Sequence, residues 1–292
     1  MRREPLRDPD GRDGHGRPGG PDPSDGELRV TDVTVSFGGL TALDGLSLSV
    51  GTGEIVGVIG PNGAGKTTLF NVVCGFVRPG HGSLTWRGRP LRRHQPHDLA
   101  RLRIARTLQG VGLWPGLTVL ENVMAGLHDA ARAGLAAALL GLPRSSGDEA
   151  RIRERAMAAL EELRVSGVAD AFPGSLPYGT QKRVSLARAL VSEPSLLLLD
   201  EPASGLSAPE MDELGGLIRG LRERMGVLLV EHHMDLVMTV CDRIVVLNFG
   251  RVICQGTPSE VRADPAVARA YLGEDVTTSG ANGAGGQGGA GA

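Results

Sequence analysis

A chain of 292 residues has room for one large domain or two small ones, and its 41% apolar content suffices for a substantial core. The 31 basic and 33 acidic residues leave a formal net charge of −2, which argues against non-specific nucleic-acid binding, a property of clustered positive charge. Only Lys66 and Lys182 are lysines, the other 29 basic residues being arginine, so a site that needs an ammonium group has two candidates.

Residues 1–26 are rich in Pro, Gly, Asp and Arg and offer little to bury; this arm is expected to be disordered. Leu28–Phe37 alternates apolar and polar residues and predicts a strand with one solvated face, turned by Gly38–Gly39 into a second strand over Leu43–Val50. Glu54–Gly60 is a continuous apolar run closed by glycine, the pattern of a buried parallel strand. A helix follows from Lys66 to about Cys74, with Gly75 as its stop. The block from about Pro96 to Gly179 carries little strand signal; within Ala150–Leu163, residues Ile152, Ala156, Ala159, Leu160 and Leu163 share one helical face. Further buried strands are expected at Leu196–Asp200, Gly226–Glu231 and Arg243–Asn248, with helical patterns between them. The tail 276–292 is Gly/Ala-rich and expected to be disordered. The folded part is therefore 27–275, an α/β sheet with a helical insert at about 96–179.

Cys74, Cys241 and Cys254 form no CxxC pair, so neither a zinc site nor a disulfide framework is expected, and a reducing compartment suits the chain. The longest apolar run, near Leu135–Leu142, falls well short of the ~18 residues of a membrane span, and no signal-peptide core is found near the N-terminus. A soluble intracellular protein is expected.

Gly60-Pro61-Asn62-Gly63-Ala64-Gly65-Lys66-Thr67 fits G-x-x-x-x-G-K-[ST] between a buried strand and a helix. Glycines let successive backbone N–H groups turn inward on phosphate oxygens, and the helix adds its positive N-terminal end. Lys66 is placed for the β- and γ-phosphates, Thr67 for Mg²⁺, and Thr68 for the α-phosphate. In Leu196–Asp200-Glu201, four leucines run into two carboxylates. Asp200 is positioned to hold Mg²⁺, and Glu201 to polarise a water for in-line attack on the γ-phosphate.

With these motifs in line, the chain resembles the ATP-binding subunit of an ABC transporter over about Leu28 to Glu274. The resemblance implies a P-loop NTPase (RecA-like) core with an antiparallel β subdomain and an inserted helical subdomain. It also implies roles for four more residues. Phe37 stacks on adenine. Gln109, in Ala105-Arg-Thr-Leu-Gln109, is the glutamine that joins core to helical insert and serves catalysis and Mg²⁺. His232, closing the strand with Glu231, is the switch histidine. Gly179, in Leu176-Pro-Tyr-Gly-Thr180, meets ATP held by the opposing subunit of a head-to-tail dimer. His94, His97, His128 and His233 carry no such support and read as surface residues, and His15 lies in the arm.

The family signature is usually L-S-G-G-Q, so Pro177 removes a hydroxyl and an N–H, and the trans contact is expected with one donor fewer. Ser207 stands where the family commonly has Asp or Asn, and His233 where Asp is frequent. Phe37-Gly-Gly-Leu-Thr-Ala, Arg106-Thr-Leu-Gln, Leu117-Thr-Val-Leu-Glu-Asn-Val123, the insertion Leu127–Gly147, Cys241–Gly250 and the end from Gln255 to Glu274 resemble the branched-chain amino-acid type. That type implies an ATPase at the cytoplasmic face of the membrane. Its partners would be a second cassette, identical or related, two integral membrane permease subunits and an extracytoplasmic solute-binding protein, with no nucleic acid. Urea or amide import and a low-turnover regulatory cassette are the other readings. An ABC-type ATPase acting on nucleic acid is disfavoured by the single cassette and the absence of a net basic charge.

Overall fold

In the computed structural model, residues 27–107, 110–127 and 146–271 are described. The arms 1–26 and 276–292, Gln109, His128 and most of the 127–147 insertion lie outside them. In chain order the strands are β1 (Leu28–Phe37), β2 (Leu40–Val50), β3 (Ile55–Ile59), β4 (His81–Trp86), β5 (Arg89–Pro90), β6 (Ile104–Arg106), β7 (Leu196–Asp200), β8 (Gly226–Val230), β9 (Arg243–Asn248) and β10 (Arg251–Gly256). The helices are α1 (Lys66–Val73), α2 (Val119–Met124), α3 (Ser146–Glu162), α4 (Tyr178–Leu190), α5 (Ala208–Leu221), α6 (Met234–Val240) and α7 (Pro258–Ala263).

Two sheets result. The antiparallel one has the order β2-β1-β4-β5, and the larger one β10-β9-β3-β8-β7-β6. β1 buries Leu28, Val30, Val33 and Val35; its phase shifts at Asp32, where φ is +49° and the pairing with β2 slips. β2 begins at Leu40, earlier than Leu43, because the hairpin ladder runs to the Phe37–Leu40 pair. In the larger sheet β9, β3, β8, β7 and β6 are parallel, and only β10 is antiparallel. β3, β7 and β8 are buried at every residue, as their unbroken apolar runs require of strands covered on both faces.

Strand alternation divides the core between the faces of this sheet. Ile55, Ile59, Leu197, Leu199, Val227 and Leu229 join the cluster that includes α4, α5 and α6. Val56, Val58, Leu196, Leu198, Leu228 and Val230 join the cluster formed with α1 and the antiparallel sheet. Each such side chain contributes about 1.5–3 kcal/mol on burial. On α3, Ala156, Ala159 and Leu160 are buried, with Leu163 just beyond its end, and they belong to the first cluster. The helical layer is therefore continuous with the sheet.

The block from Pro96 to Gly179 contains a strand that its sequence did not suggest. β6 pairs in parallel with β7, matching Ile104 with Leu196, Ala105 with Leu197 and Arg106 with Leu198. Three residues ending in an arginine are too short to display a period. The sheet thus extends to residue 106, and the helical layer starts C-terminal to it. No helix among the described residues is long and apolar enough to cross a membrane.

Candidate functional site

The phosphate loop leaves β3 and enters α1. Gly60 has φ +150° and Gly65 φ +104°. A Cβ on Gly60 would lie 2.2 Å from the Leu247 carbonyl oxygen, and one on Gly65 2.6 Å from that of Ala42. The loop is pressed between β9 and β2, which leaves room for backbone only. The Lys66 ammonium folds back on this loop, donating to the carbonyl oxygens of Gly60 (2.5 Å) and Pro61 (2.8 Å). Thr67 is exposed in the first turn of α1, and Thr68 is half-buried. That turn holds no acidic residue, so nothing in its own sequence offsets the positive helix end.

Three neighbouring strands deliver the rest. β3, β8 and β7 are adjacent, so the phosphate loop, Glu231-His232 and Asp200-Glu201 all leave the same carboxyl edge of the sheet. Ligands of open α/β sheets bind at that edge. Asp200 is buried; its Oδ2 accepts from Arg106 Nη2 at 2.8 Å, and Oδ1 has no partner among the described residues. Glu201 has φ +47°, a left-handed conformation that costs a non-glycine residue of order 1–3 kcal/mol. Contacts to its backbone hold it there. Its N–H donates to Val230 O at 2.9 Å, and its carbonyl accepts from Ser204 N–H at 3.2 Å and from Lys182 Nζ at 3.3 Å. Both lysines of the chain therefore serve this region.

Glu231 is a residue that sequence reasoning quoted but gave no task. Its side chain is fully buried. Oε2 accepts from Ala203 N–H at 3.0 Å, while Oε1 accepts from the backbone N–H groups of His232 (2.8 Å) and His233 (3.2 Å) and from His233 Nδ1 (2.9 Å). One carboxylate thus ties the turn after Glu201 to the turn that bears His232, whose ring is half exposed. His233, expected at the surface, is partly buried by this contact. The donor atoms of Glu231, His232 and His233 lie within 4.8 Å of one another. Both carboxylate oxygens already accept N–H groups, so the trio reads as a hydrogen-bonded hub rather than a metal centre.

Magnesium prefers oxygen donors. The exposed Thr67 hydroxyl and Asp200 Oδ1 are donors of that type, and the inward-turned loop beside them suits a triphosphate.

Around the signature, Pro177 caps α4, and Gly179 is buried in its first turn. A Cβ on Gly179 would come within 2.3 Å of Glu210 Oε1. The other oxygen, Oε2, accepts from the Ser207 hydroxyl (2.6 Å) and Ser207 N–H (2.9 Å), and these bonds hold the Glu210 carboxyl below its ordinary value. Tyr178 packs against Gly205, where a Cβ would stand 2.9 Å from its ring, and Lys182 Nζ lies 5.5 Å from the ring centre. Phe37 is half exposed at the β1–β2 tip, on the hairpin whose Ala42 carbonyl touches Gly65.

This combination of fold and strand-edge motifs defines an ATP-binding cassette. The sequence model of the ABC transporter family matches residues 43–204, and that of a branched-chain amino acid ATP-binding cassette transporter matches 251–277. The high-affinity branched-chain amino acid transport ATP-binding protein LivG of Salmonella typhimurium is 42% identical over 249 residues, 85% of this chain and 98% of its own. BraF of Pseudomonas aeruginosa, described in the same words, is 41% identical over the same shares. Among solved structures, the ADP conformation of MJ1267, an ATP-binding cassette of an ABC transporter, is similar with a TM-score of 0.74 and 30% identity, covering 84% of this chain and 98% of that one. Dimeric MJ0796, a bacterial ABC transporter cassette, has a TM-score of 0.66 at 26% identity, covering 79% of this chain and 98% of that one. The chain belongs to the ABC transporter family, as an ATP-binding subunit that hydrolyses ATP to drive transport. Within that family it is of the branched-chain amino acid type.

Proposed function

We propose that this subunit powers import of branched-chain amino acids through two separate permease subunits, supplied by an extracytoplasmic binding protein, from the cytoplasmic face of the membrane. The working cassette spans residues 27–275, and its helical layer grips a permease. The supporting observation is the adjacency of β3, β8 and β7, which gathers an ammonium group, two acids and a histidine at one edge.

In this reading Phe37 stacks on adenine, and the loop of residues 60–65 wraps the phosphates, with the backbone N–H groups of Asn62, Gly63 and Gly65 directed at them; Pro61 has no N–H, and that of Ala64 donates to the Pro61 carbonyl. Lys66 releases the Gly60 and Pro61 carbonyls and turns to the β- and γ-phosphates, while Thr68 meets the α-phosphate. Thr67, Asp200 and Gln109 would hold Mg²⁺, which would draw charge from the phosphate oxygens. Glu201 orients the attacking water and accepts its proton. His232 hydrogen-bonds the γ-phosphate from a turn fixed by Glu231. Gly179 serves the nucleotide held by the opposing cassette, so two ATP molecules close the pair and hydrolysis reopens it.

Reconstitution in vesicles with the permease subunits and binding protein tests the cargo. Leucine uptake that requires ATP on the cassette side is expected; uptake of urea but not leucine would contradict the assignment.

A further inference from the structure

Arg106 is absorbed by none of these roles, yet it contacts both Asp200 and α1, the helix that carries Thr67. Its Nη2 meets Asp200 Oδ2 at 2.8 Å, and the two side chains are only 16% and 6% exposed, so the pair is largely shielded from water. Nη1 lies 3.3 Å from Asn71 Oδ1 and 3.7 Å from Cys74 Sγ. The guanidinium also stands 5.7 Å from the ring centre of Phe70 and 5.9 Å from that of Phe76. Asn71 lies one helical turn after Thr67 on α1, so the two share a face. Arg106 ends β6, three residues before Gln109.

We propose that Arg106 is a positioning residue for the magnesium–nucleotide complex. It clamps Oδ2 of Asp200, leaves Oδ1 for the cation, and fixes the azimuth of α1 through Asn71 so that the Thr67 hydroxyl faces the same point. A planar fork can hold the carboxylate and the amide together; an ammonium on a flexible stem cannot. The inference rests on the proposed function, in which Asp200 and Thr67 take Mg²⁺.

The test uses the full chain, a fluorescent ATP analogue and a Mg²⁺ titration, with thermal unfolding in parallel. For Arg106→Gln the Mg²⁺ concentration giving half-maximal enhancement of nucleotide binding should rise roughly tenfold or more, as for other partners that orient metal ligands. Binding in EDTA should stay within about twofold of the parent. Arg106→Lys, which keeps the charge and loses the fork, should shift the Mg²⁺ midpoint by an intermediate amount. A lowered Tm with an unchanged Mg²⁺ midpoint, or an equal loss of binding in EDTA, would overturn the proposal and leave Arg106 a structural staple. If Arg106→Gln does not fold, Arg106→Lys decides by the same midpoint. A parent chain whose nucleotide binding ignores Mg²⁺ would overturn the proposed function and this inference together. A responsive parent with an identically responsive variant would overturn only the role of Arg106.

Discussion

The carboxyl edge of the sheet and the signature region around α4 and α5 are built in different ways. At the edge most contacts are made to backbone groups, the Arg106–Asp200 pair excepted. Gly60 and Gly65 fit against carbonyls of β9 and β2, and Glu201 is held in a left-handed conformation by bonds to its own N–H and C=O. Around the signature the fit is made by side chains, with Tyr178 against Gly205 and the Glu210 carboxylate between Gly179 and Ser207. A backbone-built site tolerates little local change, because neither a strand edge nor a positive φ adapts to a new side chain. A side-chain-built one can exchange partners, and it is here that Pro177 and Ser207 stand where the usual signature pattern leads one to expect Ser and Asp or Asn.

That contrast predicts large effects at the edge and small ones at the signature. Lys66→Ala removes the ammonium from the phosphate loop and should lower ATP turnover by at least about 100-fold, measured by phosphate release. Glu231→Ala should be the most damaging substitution for stability. It strands the N–H groups of Ala203, His232 and His233 in a buried turn, at about 1–3 kcal/mol for each group left without a partner. Urea unfolding should show a total loss of about 3 kcal/mol or more; a loss below about 1 kcal/mol would mean that water replaces the carboxylate.

Ser207→Ala should do least, lowering Tm by about 2 °C at neutral pH. Its sign with pH is fixed. Ser207 depresses the Glu210 pKa below 4.5, so the stabilisation is present above that value and fades as pH falls through the folded-state value. Parent and variant should therefore converge in acid, a result that parallel melting curves between pH 7 and the acid limb would reveal. A gap that widens in acid would contradict the contact.

The same contrast explains what was legible in the sequence. β3, β7 and β8 announce themselves because strands covered on both faces are apolar throughout, and Lys66, Asp200, Glu201 and His232 follow directly on those runs or their flanking glycines. β6 stays silent at three residues, and β10, with no residue fully buried, lacks a strand period. Arg106 stands in a recognised segment, but its meaning comes from Asp200, 94 positions away. Glu231 and Lys182 act on backbone groups, and no pattern in the chain marks which backbone group a side chain will reach. Glu210 could have been found as the third residue after Ser207, the spacing of a helix capping box.

The central claim is that Glu201 activates water in a nucleotide site completed by an opposing cassette. Size-exclusion chromatography of Glu201→Gln with ATP and Mg²⁺, alongside a phosphate-release assay, tests it most directly. A stable ATP-dependent dimer with hydrolysis abolished is the predicted result; a monomer that hydrolyses ATP at the parent rate would contradict the account.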